Sequence, residues 1–531
     1  MPVTLKLVPQ NENGVAPREV QPSSEELRRA VHAHVAKVVD YSTDANAPTT
    51  FKAFEQEVIP LVFTFGRLVM ALYLCTRHER MAVAEETEIG GRVFERQSAV
   101  ARNLHSYFGV LRYWRTYLRP KGQQGKADRG GFYPLDVALG LLSDRFSLHV
   151  LSLAARLATK LSFAQAHVTL CWFLTEAPST EVIENTVLGL GRYTQEWFES
   201  APAPKNDGDV LVIQIDGKAA PTATDSELLR RRGKRPPNPH PESARHRGRS
   251  KRKRHDKKPQ RKKGDKSKNG KVATLVVMYT LRRSADGKQL LGPINRRVYG
   301  SFSNKRHAFE YARREADKRG FTQASGKQVQ VLTDGDNDYA KLVHEFFAEA
   351  IHTIDVMHVV EYLWKAARKL FREGSEQLKD WVEEQKERLY DSRVQEIIAD
   401  LKQRRDLVPA TGPGNKKKRR RLESTINYLQ KRVKQMDYRK LRKMDLELGT
   451  GSVEGAVKYV FGKRFDDGGM RWIPERAEPL LHLRCIDING DWEAFIDFVH
   501  EKLQSNALAT GRRVRLQQLS PPSLAQPKKA A

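Results

Sequence analysis

Three acidic residues in this chain stand where a metal-dependent phosphodiesterase would need them. Asp216 closes the run Asp209-Val-Leu-Val-Ile-Gln-Ile-Asp-Gly217, an apolar stretch that stops at a carboxylate and a glycine. A buried strand ends in this way. Lys327-Gln-Val-Gln-Val-Leu-Thr-Asp-Gly335 repeats the arrangement and puts Asp334 at a second strand end. Glu454 lies in Gly451-Ser-Val-Glu-Gly-Ala-Val-Lys-Tyr-Val-Phe461, which reads as the start of a helix. Two strand-end aspartates and a helical glutamate form an all-oxygen ligand set of the kind Mg2+ prefers. A pair of such ions, with Mn2+ able to substitute, stabilises charge on both the attacking and the leaving oxygen of a phosphodiester. Asp216, Asp334 and Glu454 are therefore the expected metal-binding and catalytic residues. One Asp-Gly is also an ordinary turn, so the expectation rests on the combination.

The residues around these acids suggest supporting roles. Asp336 and Asp338 compete with Asp334, but Asp334 directly ends the apolar run, and the other two suit a turn or helix cap. Asp355 and His358 are spaced to pair with each other and to support the site from behind, although Asp355 could also be a ligand or pair with Arg471. Arg464 and Arg471 are expected to contact phosphates. Trp472 would either stack on an extruded base or pack beside the Glu454 helix.

The charge points to the same kind of partner. The chain has 531 residues and a formal net charge of +29, which suits a polyanion such as double-stranded DNA. Twenty Lys and Arg and only three acids lie between Arg230 and Lys271. Lys251, Arg252, Lys253 and Arg254 form the densest part and are expected to clamp the DNA backbone without reading sequence. His240, His246 and His255 in that segment are expected to be solvated. A second basic run contributes Lys416, Lys417 and Arg419. Cys75, Cys171 and Cys485 form no CxxC, which argues against a zinc finger and suits a reducing compartment. The start of the sequence shows no signal peptide, so a cytoplasmic, nucleoid-associated protein is expected. Val58–Leu74 is apolar but broken by Pro60 and Arg67, and reads as a core helix rather than a membrane span.

The elements that must position these residues follow from periodicity and punctuation. Residues 1–25 are polar and Pro-containing, and are expected to be disordered. Residues 26–199 read as an all-α DNA-binding domain, with Arg92–Arg119 taken as helical. There Tyr107, Tyr113, Trp114 and Tyr117 are either base-stacking or core aromatics. Ser162–Leu174 and Ser179–Leu190 flank a tight turn, as in a helix-turn-helix. A Pro/Gly-rich linker at 200–208 precedes a catalytic domain at 209–500. This domain carries a disordered basic insertion at 230–271 and a helical insertion at 375–445, and a disordered tail is expected at 504–531. After the Asp216 strand, the pattern predicts strands at Val272–Leu281 and Arg296–Phe302 and a helix at Asn304–Gly320. The Asp334 strand, a helix at Asn337–Ala350, a short strand ending at Asp355 and a helix from Val359 to Glu373 follow. Three antiparallel strands followed by parallel strands joined through helices is the layout of an RNase-H-like mixed α/β sheet.

Asp216-Gly-Lys, Thr333-Asp-Gly335, Asp355-Val-Met-His358, Gly451-Ser-Val-Glu-Gly-Ala-Val-Lys458 and Gly469-Met-Arg-Trp472 together resemble the ISKra-type bacterial insertion-sequence transposases. These are DDE enzymes related to the Mutator-like and hAT-like groups. Tyr133-Pro-Leu-Asp136 and Leu139-Gly-Leu are similar to the N-terminal half of the same family. The resemblance covers roughly residues 130 to 500. It implies an RNase-H-like catalytic domain, Mg2+ held by Asp216, Asp334 and Glu454, cleavage at element ends, strand transfer to target DNA, and work as a homodimer or larger assembly. An inactive transposase-derived DNA-binding protein and a structure-selective nuclease of the same fold are the alternative expectations.

Overall fold

The computed structural model describes residues 21–48, 50–89, 91–122, 130–223, 270–449, 455, 457–466, 470–507 and 516, together with the backbone of 508–510. The chain divides into two compact units, 1–197 with 490–522 and 198–489 with 523–531.

The first unit opens with α1 (Ser24–Thr43) and α2 (Phe51–Arg80). Ser23 and Glu26 cap α1 reciprocally, as a capping box requires. The expected core helix at Val58–Leu74 is found within α2, but α2 buries only Gly66, Leu68, Leu74 and Cys75. Ile59, Val62, Phe65, Val69, Met70 and Tyr73 are exposed. By length and composition alone, α2 is also long and apolar enough to cross a membrane. Apolar composition reports what a helix could bury, not whether a partner covers it.

The expectation of an all-α first domain is corrected by a three-stranded antiparallel sheet, β1 (Glu86–Ile89), β2 (Arg92–Ser106) and β3 (Gly109–Pro120). Arg92–Arg119, read as helical, forms a hairpin running from Phe94↔Pro120 to Ser106↔Gly109. The period-2 signal was hidden because two inward positions carry arginine. Asp136 accepts from Arg102 at 3.1 Å and from the Tyr113 hydroxyl at 2.8 Å, and it also pairs with Arg115. Paired in this way, a guanidinium can be buried where sequence patterning expects an apolar side chain. Tyr113 and Trp114 are buried, so these two are core aromatics.

Helices α3 (Pro134–Ala138), α4 (Leu148–Lys160), α5 (Phe163–Cys171), α6 (Thr180–Gly191) and α7 (Thr194–Ser200) follow. α5 and α6 match the expected helix pair. α6 is buried from Thr186 to Gly191, and its outward first turn carries Glu181.

The second unit is a mixed α/β unit around a five-stranded sheet: β4 (Val210–Ala220), β5 (Lys271–Arg283), β6 (Leu290–Ser301), β7 (Gln328–Thr333) and β8 (Ile351–Ile354). The spatial order is β6-β5-β4-β7-β8. β4–β5 and β5–β6 are antiparallel, whereas β4–β7 and β7–β8 are parallel. The central strand β4 is buried along Val210–Ile215, which is why its sequence is apolar without alternation. The single polar residue in that stretch, Gln214, is satisfied by donating to the Tyr279 hydroxyl at 3.0 Å.

α8 (Lys305–Lys318), capped by Asn304, joins β6 to β7, and α9 (Asn337–Phe346) joins β7 to β8. α10 (Val356–Leu370) follows β8. The helical insertion is present as α11 (Glu376–Tyr390), α12 (Val394–Asp406), α13 (Asn415–Gln430) and α14 (Tyr438–Lys443). Its basic run lies inside α13 rather than before it. A π-helix at Lys458–Asp466 and α15 (Pro474–Ile488) complete the unit. The last helix, α16 (Trp492–Thr510), groups with the first unit, although the sequence placed residues up to 500 in the catalytic domain and started a tail at 504. Trp492 is buried there and donates to the Ser152 hydroxyl at 3.0 Å.

Candidate active site

The strand register aligns three aspartates. Ile215 pairs with Thr333, and Thr333 pairs with Ile354. The next residue on each chain is an acid: Asp216, Asp334 and Asp355. Neighbouring strands run about 4.8 Å apart, so three carboxyl-bearing residues leave one edge of the parallel part of the sheet side by side. β4 does not end at Asp216, as the sequence suggested. It continues to Ala220, paired only with β5, while β7 stops at Thr333. Asp216 therefore sits at a notch opened by the departure of its parallel neighbour. Ligand sites in open α/β sheets form at such carboxyl ends.

Each carboxylate is held locally. Asp216 Oδ1 accepts from the Gly217 amide at 2.6 Å. Asp334 Oδ1 accepts from the Asp336 amide at 2.8 Å, closing a tight turn. Asp336 caps α9 and accepts from Lys305 at 2.8 Å, which fits its expected role as a cap. Asp355 is buried at the N-terminus of α10, where it accepts from the Met357 amide at 2.8 Å and contacts His358 Nδ1 at 3.2 Å. His358 is thus the partner that Asp355 takes up.

This proximity shapes the electrostatics. Burial pushes the Asp216 carboxyl above its ordinary range. The Gly217 amide and the His358 charge oppose that rise, and the Asp334 and Asp355 charges add to it. The hydrogen bond to Asp355 holds the His358 imidazole above its usual value against the pull of burial, and the charges of Asp216 and Asp334 add to the effect. On β8, His352 bonds Thr333 Oγ1 at 3.0 Å, and burial lowers it to about 4.

Asp216 and Asp334 offer oxygen donors suited to a hard cation, while both Asp355 oxygens are engaged. Among the described residues, no group of three or more His, Cys, Asp or Glu is arranged to hold a metal ion. The third expected acid, Glu454, lies outside the described residues, as do Lys251, Arg252, Lys253 and Arg254. The chain leading towards Glu454 is bonded to the sheet at Glu447. Gln330 donates to the Glu447 carbonyl at 2.7 Å and accepts from its amide at 3.1 Å. A Cβ built on Gly449 would lie 3.1 Å from Asp355 Oδ1, so the backbone passes directly against the aspartate row.

One expected phosphate contact, Arg464, is corrected, and Trp472 takes the packing alternative rather than the stacking one. Arg464 is buried, with its guanidinium 4.9 Å from the Trp472 ring centroid. Burial, with Arg484 nearby, pulls it down to about 10. Trp472 is also buried, packs 4.9 Å from Phe465 and donates to the Phe465 carbonyl at 3.1 Å. The reason is a strand-like pairing with the tail of β4: the Trp472 amide donates to Pro221, and the Ala223 amide donates to Trp472. Arg471, by contrast, is exposed. Lys416 and Lys417 are exposed on α13, while Arg419 turns inward and donates to the Val408 carbonyl at 2.7 Å and the Arg405 carbonyl at 3.1 Å.

Sequence reasoning missed Tyr428, Arg432 and Tyr438. Tyr428 donates to the Asp334 carbonyl at 3.0 Å, Arg432 donates to the Gly335 carbonyl at 2.5 Å, and Tyr438 donates to the Ile354 carbonyl at 2.8 Å. Nothing local to those residues signals a partner in the sheet. No protein-family model and no curated protein sequence matches the chain.

Proposed function

We propose that this chain is a DDE-type transposase that cleaves DNA at element ends and transfers the strand to target DNA, in the manner of the ISKra-type insertion-sequence enzymes. The observation that carries this reading is the register of Asp216 and Asp334, each one residue beyond the pair Ile215↔Thr333. The strand order supports an RNase-H-like catalytic domain. The net charge of +29 and the exposed Lys416, Lys417 and Arg471 support a DNA partner. The helix pair α5–α6 supports a helix-turn-helix reader less well, because it presents Glu181 outward.

Asp216 and Asp334, joined by Glu454, would hold two Mg2+ or Mn2+ ions. Bound ions of this kind lower the pKa of a water nucleophile and stabilise charge on the attacking and leaving oxygens. The protein's own part is to fix the carboxylates on neighbouring strands and to exclude misalignment. Asp355 anchors α10 and orients His358 through Nδ1, so that the ring, when protonated, would donate from Nε2 to a phosphate oxygen beside the carboxylates. Water attacks the phosphorus at the element end, the P–O3′ bond breaks, and a 3′-OH is released. That hydroxyl then attacks a target phosphodiester at the same site. A dimer or larger assembly would bring two ends together.

The test is cleavage and joining of end-containing duplexes in Mg2+ by the parent, Asp216→Asn and Glu454→Gln. Cutting and joining by the parent and loss of roughly a hundredfold or more in both variants is expected, beyond the range seen for supporting partners of a metal site. Full activity in either variant rules out this site. Binding without cutting by the parent would identify a DNA-binding protein, and cutting without joining would identify a nuclease.

A further inference from the structure

We infer that the helical insertion is a positioning element for the catalytic turn, acting through Tyr428 and Arg432. This rests on the reading of Asp334 as catalytic. Beyond Thr333 the chain leaves β7, and the carbonyls of Asp334 and Gly335 have no strand to receive them. The insertion supplies the donors instead. The Tyr428 hydroxyl bonds the Asp334 carbonyl at 3.0 Å, and Arg432 Nε bonds the Gly335 carbonyl at 2.5 Å. Arg432 Nη2 reaches the Asn337 side chain at 2.9 Å, so one guanidinium spans the turn.

Both donors are themselves fixed. The Tyr428 ring stacks on Tyr362 of α10, with centroids 3.8 Å apart and planes 9° from parallel. The Arg432 guanidinium lies 4.2 Å from the Tyr428 centroid. Gly335 has φ +84°, and a Cβ there would come within 2.7 Å of the Tyr428 hydroxyl. The turn is therefore closed at both levels: Asp334 Oδ1 holds the Asp336 amide within the turn, and the insertion holds the turn against the sheet. The direction of the Asp334 carboxylate follows from both. The same helix, α13, exposes Lys416 and Lys417, so the surface offered to DNA and the support of Asp334 belong to one rigid element.

The experiment uses the full-length protein, with Tyr428→Phe and Arg432→Lys made separately. Tyr428→Phe keeps the ring stack and removes only the hydroxyl. Arg432→Lys keeps the charge and removes the fork. Amide hydrogen exchange is followed without metal, and the Mg2+ concentration for half-maximal cleavage is measured in parallel. Exchange across 334–338 is expected to accelerate at least roughly fivefold per bond lost, with β4 protection and melting temperature falling by no more than the loss of one hydrogen bond, about 1 kcal/mol, requires. The half-maximal Mg2+ should rise several-fold while KM for DNA holds. Unchanged exchange at 334–338 overturns the inference, and so does a global loss of protection in both variants, which would assign these bonds to the fold at large. Accelerated exchange in a chain that never cuts DNA would uphold the positioning role and overturn the transposase reading instead.

Discussion

The Val356 amide donates to the Leu448 carbonyl at 3.0 Å. This bond fixes the chain that runs towards Glu454 beside the first turn of α10, directly after Asp355. The same strip is pinned one residue earlier by Gln330, which bonds both backbone groups of Glu447 and the Thr353 hydroxyl from the middle of β7. Tyr279 adds a bond to the Glu447 carboxylate at 3.0 Å. A buried polar side chain thus serves as the link between the sheet and the segment preceding the third acid.

Gln330→Leu should break that link. It leaves the Glu447 amide and carbonyl without their partner, at a cost of about 2–4 kcal/mol. Denaturant unfolding should show this loss, and cleavage should fall even where the variant remains folded. Thr353→Val, which removes only one of the three bonds, should cost about 1 kcal/mol and spare activity. Equal stability of Gln330→Leu and parent would contradict this account.

Gly335→Ala should be strongly destabilising for a change of one methyl group. The backbone there lies in the left-handed region, and the new Cβ would crowd the Tyr428 hydroxyl at 2.7 Å and Arg432 Nε at 2.9 Å. Conformational strain alone amounts to about 1–2 kcal/mol. Gly374→Ala has φ +80° but nothing within 4 Å of the added atom, so it isolates the strain from the clash. The difference between the two in urea unfolding measures the contact with the insertion.

Asp216→Asn should stabilise the metal-free protein at neutral pH while abolishing catalysis. The native carboxyl lies above its ordinary range, chiefly through burial. A carboxyl raised on folding adds stability only where it is protonated, below the ordinary carboxylate range. That contribution is lost as pH rises through the raised value, so at neutral pH the ionised Asp216 is a burden. The gain from Asn should accordingly be absent in strong acid and appear as pH passes the raised value. Denaturation curves in EDTA across that interval test it, and a less stable variant at pH 7 would refute it.

Arg464→Ala and the double change Lys416→Ala with Lys417→Ala should have opposite signatures. Arg464 is buried against Trp472, so its loss should lower stability by about 2–4 kcal/mol. Lys416 and Lys417 are exposed, and their removal should leave stability within about 0.5 kcal/mol. The lysine pair should also reduce the salt slope of DNA binding by about one per side chain. A titration of binding against salt, paired with thermal melts, separates the two.

Much of the second unit was legible in the sequence. From Val210 to Leu370 the order of strands and helices follows the predicted one, because apolar runs of strand length alternate with capped, amphipathic stretches. Asp336 as a cap and Asp355 as the partner of His358 were also legible, since both depend on residues two or three positions away. The hairpin of the first unit was not. Arg102 and Arg115 occupy inward positions, and partners from outside the hairpin make them tolerable there: the Asp136 carboxylate for both, the Leu142 and Asp144 carbonyls for Arg102 and the Tyr133 ring for Arg115.

The sequence alone determined the local elements and the residue types that end them, because caps, turns and apolar periodicity act over a few residues. The strand order already implied that the Asp216 and Asp334 strand ends would be neighbours; the tertiary structure decided the exact register and the remaining contacts. It set the β4–β7 register of Asp216 and Asp334, buried Trp472 against the residues that follow β4 with Arg464 over its ring, and brought Tyr428 to Asp334 across 94 residues. Those outcomes depend on which faces meet, and a side chain's exposure and partners are properties of that meeting rather than of its neighbours along the chain.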